Sequence, residues 1–238
     1  MAAPAKLFCA VDVAGRKAAI DLTRRIAAEV DGIKLGLEFF CAHGPEGVRA
    51  VLDGFALPLF LDLKLHDIPN TVASAVRAAG VVSPAFLTLH AAGGSAMLRA
   101  AAAAADEVGA ATGHRPKLLA VTILTSLDAD DLAAVGQHPD VAGQVARLAR
   151  LAAAAGIDGV VCAPSDLATL RSQLGNDVFL ATPGIRPAGS GRDDQKRVLS
   201  PGDAVAAGAD MLVVGRPITQ AADPAAAARD IRSAMIPA

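Results

Sequence analysis

The sequence predicts an α/β fold, a closed (β/α)8 TIM barrel, and three observations carry that reading. Short apolar runs alternate with longer amphipathic stretches, eight times over in 238 residues, with no linker-like interruption. The runs are apolar throughout rather than at every second position, which marks strands buried on both faces and therefore a parallel sheet under helices. Polar and charged side chains gather at the C-terminal ends of the runs, where barrels carry their chemistry. The length suits one barrel, so residues 1–238 read as a single domain. An open doubly wound sheet is the structural alternative.

In chain order the expected strands are Leu7–Val11, Gly32–Leu37, Leu57–Leu63, Phe86–His90, Leu118–Leu124, Gly159–Cys162, Phe179–Thr182 and Met211–Val214. Helical spacing of apolar residues fills the gaps at Lys17–Val30, Pro45–Leu52, Thr71–Val81, Ser95–Val108, Gln144–Ala155, Ser165–Leu174, Asp203–Ala207 and Pro224–Met235. The Gly- and charge-rich segment Ala188–Arg197 reads as a loop.

Composition removes several classes of function. A net charge of −2 gives no reason to expect nucleic acid or an anionic membrane as partner. The absence of Trp and Tyr removes the usual stacking platforms for bases. No apolar run reaches membrane-spanning length without charge or Pro, and the N-terminus does not read as a signal peptide. Cys9, Cys41 and Cys162 are odd in number and form no Cys-x-x-Cys pair; Cys9 and Cys162 lie in strand-like runs and read as buried reduced thiols of a cytoplasmic protein. The five histidines are scattered without metal-ligand spacing, so no metal is expected.

The most informative stretch is Asp62-Leu63-Lys64-Leu65-His66-Asp67-Ile68-Pro69-Asn70-Thr71. Each charge taken out of water costs several kcal/mol, so charges at the end of a buried strand call for a purpose other than stability. Asp62 and Lys64 are two apart and share a strand face, while Asp67 lies beyond the strand end. Lys34 also lies in an apolar run, and a closed barrel has no edge from which it could snorkel to water. Two lysines among aspartates form an alternating network in which carboxylates keep the ammonium groups protonated, which suits a proton donor better than a nucleophile. His66 and His90 read as supporting groups, since Lys64 is better embedded among carboxylates. After the seventh and eighth runs come Pro183-Gly184-Ile185-Arg186-Pro187 and Gly215-Arg216-Pro217-Ile218-Thr219, which together read as a phosphate site, with Gln195 placed to close over the anion.

With these residues in hand, the chain resembles the orotidine 5′-monophosphate decarboxylase family of the bacterial type over nearly its whole length. The resemblance rests on Ala10-Val11-Asp12, Ile33-Lys34-Leu35-Gly36, Phe60 to Thr71, His90-Ala91-Ala92-Gly93-Gly94, Val121 to Ser126, Pro183 to Pro187, Asp194-Gln195 and Gly215 to Thr219. The Asp-x-Lys-x-x-Asp core is shared with sugar-phosphate decarboxylases and synthases of the same superfamily; the remaining motifs narrow the assignment. Leu65 stands where Phe is common and Thr88 where Asn is common, and neither departure touches a matched chemical group.

The resemblance implies a cofactor-independent conversion of orotidine 5′-phosphate to UMP and CO2, in pyrimidine biosynthesis, by a homodimer with a shared active site. It makes Lys64 the proton donor to C6, Asp62 the carboxylate facing the leaving group, and Asp12 and Lys34 ribose contacts. Thr125 becomes a pyrimidine contact, Arg186, Gln195, Gly215 and Arg216 a phosphate grip, and Asp67 and Thr71 contributions to the neighbouring subunit's site. Rival readings are another sugar-phosphate activity of the superfamily and a non-catalytic nucleotide-binding barrel.

Overall fold

The computed structural model describes residues 4–186 and 199–236. Eight parallel strands close on themselves in sequence order: β1 (Lys6–Ala10), β2 (Gly32–Gly36), β3 (Leu59–Leu65), β4 (Phe86–His90), β5 (Lys117–Val121), β6 (Gly159–Val161), β7 (Phe179–Thr182) and β8 (Met211–Val214), with β8 paired back to β1. The helices between and after them are α1 (Arg16–Ile26), α2 (Leu37–Leu52), α3 (Pro69–Ala79), α4 (Gly94–Thr112), α5 (Ala129–Ala134), α6 (Val141–Ala154), α7 (Leu167–Leu174), α8 (Pro201–Ala206), α9 (Arg216–Thr219) and α10 (Pro224–Ala234). The expected barrel is therefore observed, and the open sheet is not.

The strands divide their side chains between two cores. Leu7, Cys9, Ile33, Leu35, Leu59, Leu61, Leu87 and Leu89 face the helices and are wholly or almost wholly buried. Phe8, Ala10, Phe60, Phe86, Leu119, Ala181, Met211 and Val213 form a separate cluster inside the barrel. There the rings of Phe8, Phe60 and Phe86 meet edge-on or tilted, with centroids 5.6–6.5 Å apart, a favoured aromatic geometry. Gly32 is required beside this plug: a Cβ there would fall 2.3 Å from the Phe8 ring. The plug fills the N-terminal part of the lumen, while Ala10, Phe60 and Val213 form the floor of a cavity above it.

Charges at the N-terminal end of the barrel are absorbed by the fold. Asp31 accepts from the Leu7 N–H at 2.7 Å, and Asp158 and Asp210 accept from the N–H groups of Leu118 and Leu180 at 2.8 Å. Arg115 and Arg171 bind the latter two carboxylates at 2.9 and 2.6 Å. These carboxylates accept from N–H groups near the starts of β1, β5 and β7 and so serve the fold at that end of the barrel.

Differences from the expected elements have local causes. The expected helix at Pro45–Leu52 is the second of two helical pieces within α2: residues 37–43 form the first, Gly44 at φ 56° is non-helical between them, and Pro45 starts the second across the kink. Strand β5 ends at Val121, short of the expected Leu124, and the Thr122 N–H and hydroxyl both donate to the Val161 carbonyl, at 3.3 and 3.1 Å. Helix α5 was not expected; Asp128 and Asp131 start it as a reciprocal capping box. Among the described residues, no helix is long and apolar enough to cross a membrane.

Candidate active site

The site is built around an irregularity in β3. Leu61 pairs with Leu87 and Leu65 with Leu89, so three residues of β3 (Asp62, Leu63 and Lys64) face the single β4 residue Thr88. The surplus is taken up by a bulge in which Lys64 adopts φ 49°, a left-handed conformation that costs an L-residue roughly 1–2 kcal/mol. Asp62 and Lys64 do point into the same space, but through this bulge rather than through regular strand alternation.

Four charged side chains then alternate in sign. Lys34 Nζ lies 2.9 Å from Asp12 Oδ1 and 3.4 Å from Asp62 Oδ2, and Lys64 Nζ lies 2.8 Å from the same Asp62 oxygen. Lys34 and Asp62 side chains are 11 % and 12 % exposed, against 56 % for Asp12, so the network runs from the barrel mouth into low dielectric. Burial raises the Asp62 carboxyl, but the Lys34 and Lys64 ammonium groups and hydrogen bonds from Lys64 and Thr88 outweigh it, leaving Asp62 below the usual carboxylate range. Burial likewise opposes the Lys34 ammonium, and Asp62 and Asp12 together hold it above the ordinary lysine value. Gly36 leaves room for this arrangement, since a Cβ there would sit 3.3 Å from Lys34 Nζ and 3.4 Å from Asp12 Oδ1.

One cavity of about 500 Å3 opens above the phenylalanine plug. Asp12, Lys34, Asp62, Lys64, Thr125, Arg186, Gly215 and Arg216, all singled out from the sequence, line it. Arg186 is 8 % exposed and donates from Nη1 to the Ile185 carbonyl at 3.0 Å. Gly215 leads into α9, its carbonyl accepting from the Ile218 and Thr219 N–H groups at 2.8 and 3.0 Å. The cationic groups thus lie by the ends of β7 and β8, and the alternating network by the ends of β1, β2 and β3. Volume and polarity fit a small molecule with an anionic tail and a polar reacting end.

Asp67 and Thr71 are not among the lining residues. Both are exposed at the start of α3, where the Asp67 carboxylate accepts from the Ile68 N–H at 2.7 Å and Ile68 itself is 66 % exposed. Gln195 lies outside the described residues. His66 and His90 rest against one another with ring centroids 5.3 Å apart. Burial, then the neighbouring His66 and Lys64, lower His90 below the ordinary histidine value despite Asp62. Cys9 and Cys162 are buried as expected, burial and Asp12 pushing the Cys9 thiol up to about 12. Gln220 and Ile123 line the cavity without having been anticipated. Thr88, set aside as a neutral departure, makes two hydrogen bonds within the network. Among the described residues, no group of three or more His, Cys, Asp or Glu could hold a metal ion.

Residues 5–231 match the model of the family described as orotidine 5′-phosphate decarboxylase / HUMPS. The chain belongs to that family. Relatives named orotidine 5′-phosphate decarboxylase include one from Rhodospirillum rubrum, 53% identical over 97% of this chain and 94% of its own length. Another, from Gluconobacter oxydans, is 51% identical over 95% of each. The crystal structure of orotidine 5′-phosphate decarboxylase from Lactobacillus acidophilus superimposes with a TM-score of 0.84 at 35% identity, covering 97% of this chain and 99% of that one. The barrel of this chain carries an alternating charge array and two cationic strand ends around one cavity.

Proposed function

We propose that this chain, a carboxy-lyase of the orotidine 5′-phosphate decarboxylase family acting in pyrimidine biosynthesis, converts orotidine 5′-phosphate to UMP and CO2 with Lys64 as the proton donor. The observation that carries the reading is the Asp12–Lys34–Asp62–Lys64 array at 2.9, 3.4 and 2.8 Å, on the wall of a cavity also lined by Arg186 and Arg216. The phosphate is assigned to Arg186, Gly215 and Arg216, with Gln195 joining them. Asp12 and Lys34 take the ribose hydroxyls, and Thr125 the pyrimidine.

In this mechanism the bond from C6 to the carboxylate carbon breaks, CO2 leaves, and the electron pair stays at C6. Lys64 Nζ gives that carbon a proton and is reprotonated from solvent. Stabilising the carbanion is an electrostatic task for ammonium groups fixed in advance, which need no reorganisation when charge develops. Asp62 holds Lys64 in place and sets a like charge beside the departing carboxylate. Phosphate binding, remote from C6, supplies energy usable in the transition state.

The dimer belongs to the same proposal. Asp67 and Thr71 are exposed close to the exposed Ile68, and we assign them to the site of a second copy of the chain. The whole chain is taken to act as one domain in the cytoplasm. Mixing the protein with orotidine 5′-phosphate and following the loss of substrate absorbance tests the activity, with little protein background because Trp and Tyr are absent. Turnover insensitive to a chelator is the expected result. No turnover by the folded dimer, or turnover that needs added metal, would count against the reading.

A further inference from the structure

We propose that Thr88 is a positioning residue for the decarboxylation, its one hydroxyl locking the Asp62 carboxylate and the Lys64 backbone into reactive register. The inference rests on the reading of Asp62 and Lys64 given above and adds a residue to it. Thr88 Oγ1 donates to Asp62 Oδ1 at 2.9 Å and accepts from the Lys64 N–H at 2.9 Å. Thr88 is fully buried, so water cannot replace either partner. A hydroxyl has one proton and two lone pairs, so giving the proton to Asp62 leaves a lone pair for Lys64.

The bulge makes this bond necessary. Ladder pairing is lost between Leu61 and Leu65, so the Lys64 N–H has no β4 carbonyl opposite it, and the threonine side chain takes that place. Lys64 sits at φ 49°, and residues in such conformations persist only where their surroundings over-determine them. The hydroxyl therefore does two things together. It holds the strained backbone that aims the Lys64 side chain, and it fixes the Asp62 oxygen not engaged by the two ammonium groups, which both approach Oδ2.

The test compares Thr88→Val, which keeps shape and loses the hydroxyl, with Thr88→Ser, which keeps the hydroxyl. Thr88→Val should lower kcat by roughly ten- to a hundredfold, the range for hydrogen bonds to charged groups, with a smaller change in KM because Arg186 and Arg216 are untouched. The acid limb of its kcat/KM profile should move to higher pH, because Asp62 loses a donor that favours its charged form. Thr88→Ser should return both quantities close to those of the parent protein. If Thr88→Val does not fold, Thr88→Cys, whose thiol is a far weaker donor, replaces it with the same expected directions. A folded hydroxyl-free variant with parental kcat and an unmoved acid limb overturns the proposal, even if its melting temperature has dropped. Lys64→Ala, assayed alongside, separates the two failures. If it is inactive while Thr88→Val is unimpaired, only the role of Thr88 falls; if it retains turnover, the reading of the site falls and this inference with it.

Discussion

Replacing Lys34 by Met removes the central positive charge of the network while keeping an unbranched side chain. At an effective dielectric of about 20, charges 3.4 Å apart, as Lys34 and Asp62 are, interact by about 5 kcal/mol. Methionine avoids the cost of burying an ammonium group, several kcal/mol, and Lys64 still contacts Asp62 at 2.8 Å. The net expectation is a loss of about 2–4 kcal/mol of folding stability at pH 7, these offsets bringing it somewhat below the roughly 3–5 kcal/mol for breaking a buried pair. The pH dependence identifies the cause. Asp62 is depressed in the folded protein, so its contribution is present above its unfolded pKa and lost as pH falls through the lower folded value. Lys34 is raised, so its contribution is complete below the ordinary lysine pKa and lost as pH rises through the higher folded one. The stability gap between parent and variant should therefore be widest between these limits and narrow toward both. Urea unfolding followed by circular dichroism from acid to alkaline pH measures it. A gap below about 0.5 kcal/mol at pH 7, within the usual range for surface substitutions, or one that ignores pH, would refute the charge-network argument.

Arg216→Ala should lower kcat/KM by more than about tenfold, since a charge-assisted hydrogen bond is worth roughly 1.5–3 kcal/mol; with the nucleoside lacking phosphate, the variant should be no worse than the parent, and equal losses on both substrates would exclude Arg216 as a phosphate ligand. Homodimers of Lys64→Ala and of Asp67→Ala should each be nearly inactive. Co-refolding the two should restore about a quarter of parental activity, because half of randomly paired dimers are mixed and each mixed dimer has one complete site. No recovery, despite subunit exchange shown by sedimentation, would mean that Asp67 serves its own subunit.

Much of the barrel is legible because its strands are continuous apolar runs whose ends carry charge, a pattern set by burial on two faces. What escapes is short or irregular. Helices α5 and α9 have 6 and 4 residues, too few for a helical period to show. Thr122-Ile123-Leu124 prolongs the apolar run past Val121, where the strand ends. The charged lining of the cavity was legible wherever a charged residue interrupts an apolar strand, as at Lys34, Asp62 and Lys64. It was illegible at Thr88, because a threonine in a strand is an ordinary β-branched residue until the bulge opposite reveals what its hydroxyl must satisfy. The shared face of Asp62 and Lys64 was anticipated from regular alternation, but a bulge with Lys64 at φ 49° produces it. Asp67 and Thr71 are exposed and outside the cavity of their own barrel, and the role proposed for them needs a second copy of the chain.

The central claim is that Lys64 protonates C6. The most direct measurement is steady-state turnover of orotidine 5′-phosphate by Lys64→Ala, with circular dichroism and sedimentation to establish that the variant is folded and dimeric. Lys64 is a partly exposed residue at the cavity wall, so its truncation should leave the barrel intact while abolishing turnover. Binding of the anionic substrate should weaken too, because Asp62 then keeps only Lys34 as a counter-charge. Near-parental decarboxylation by a well-folded Lys64→Ala dimer would contradict the claim.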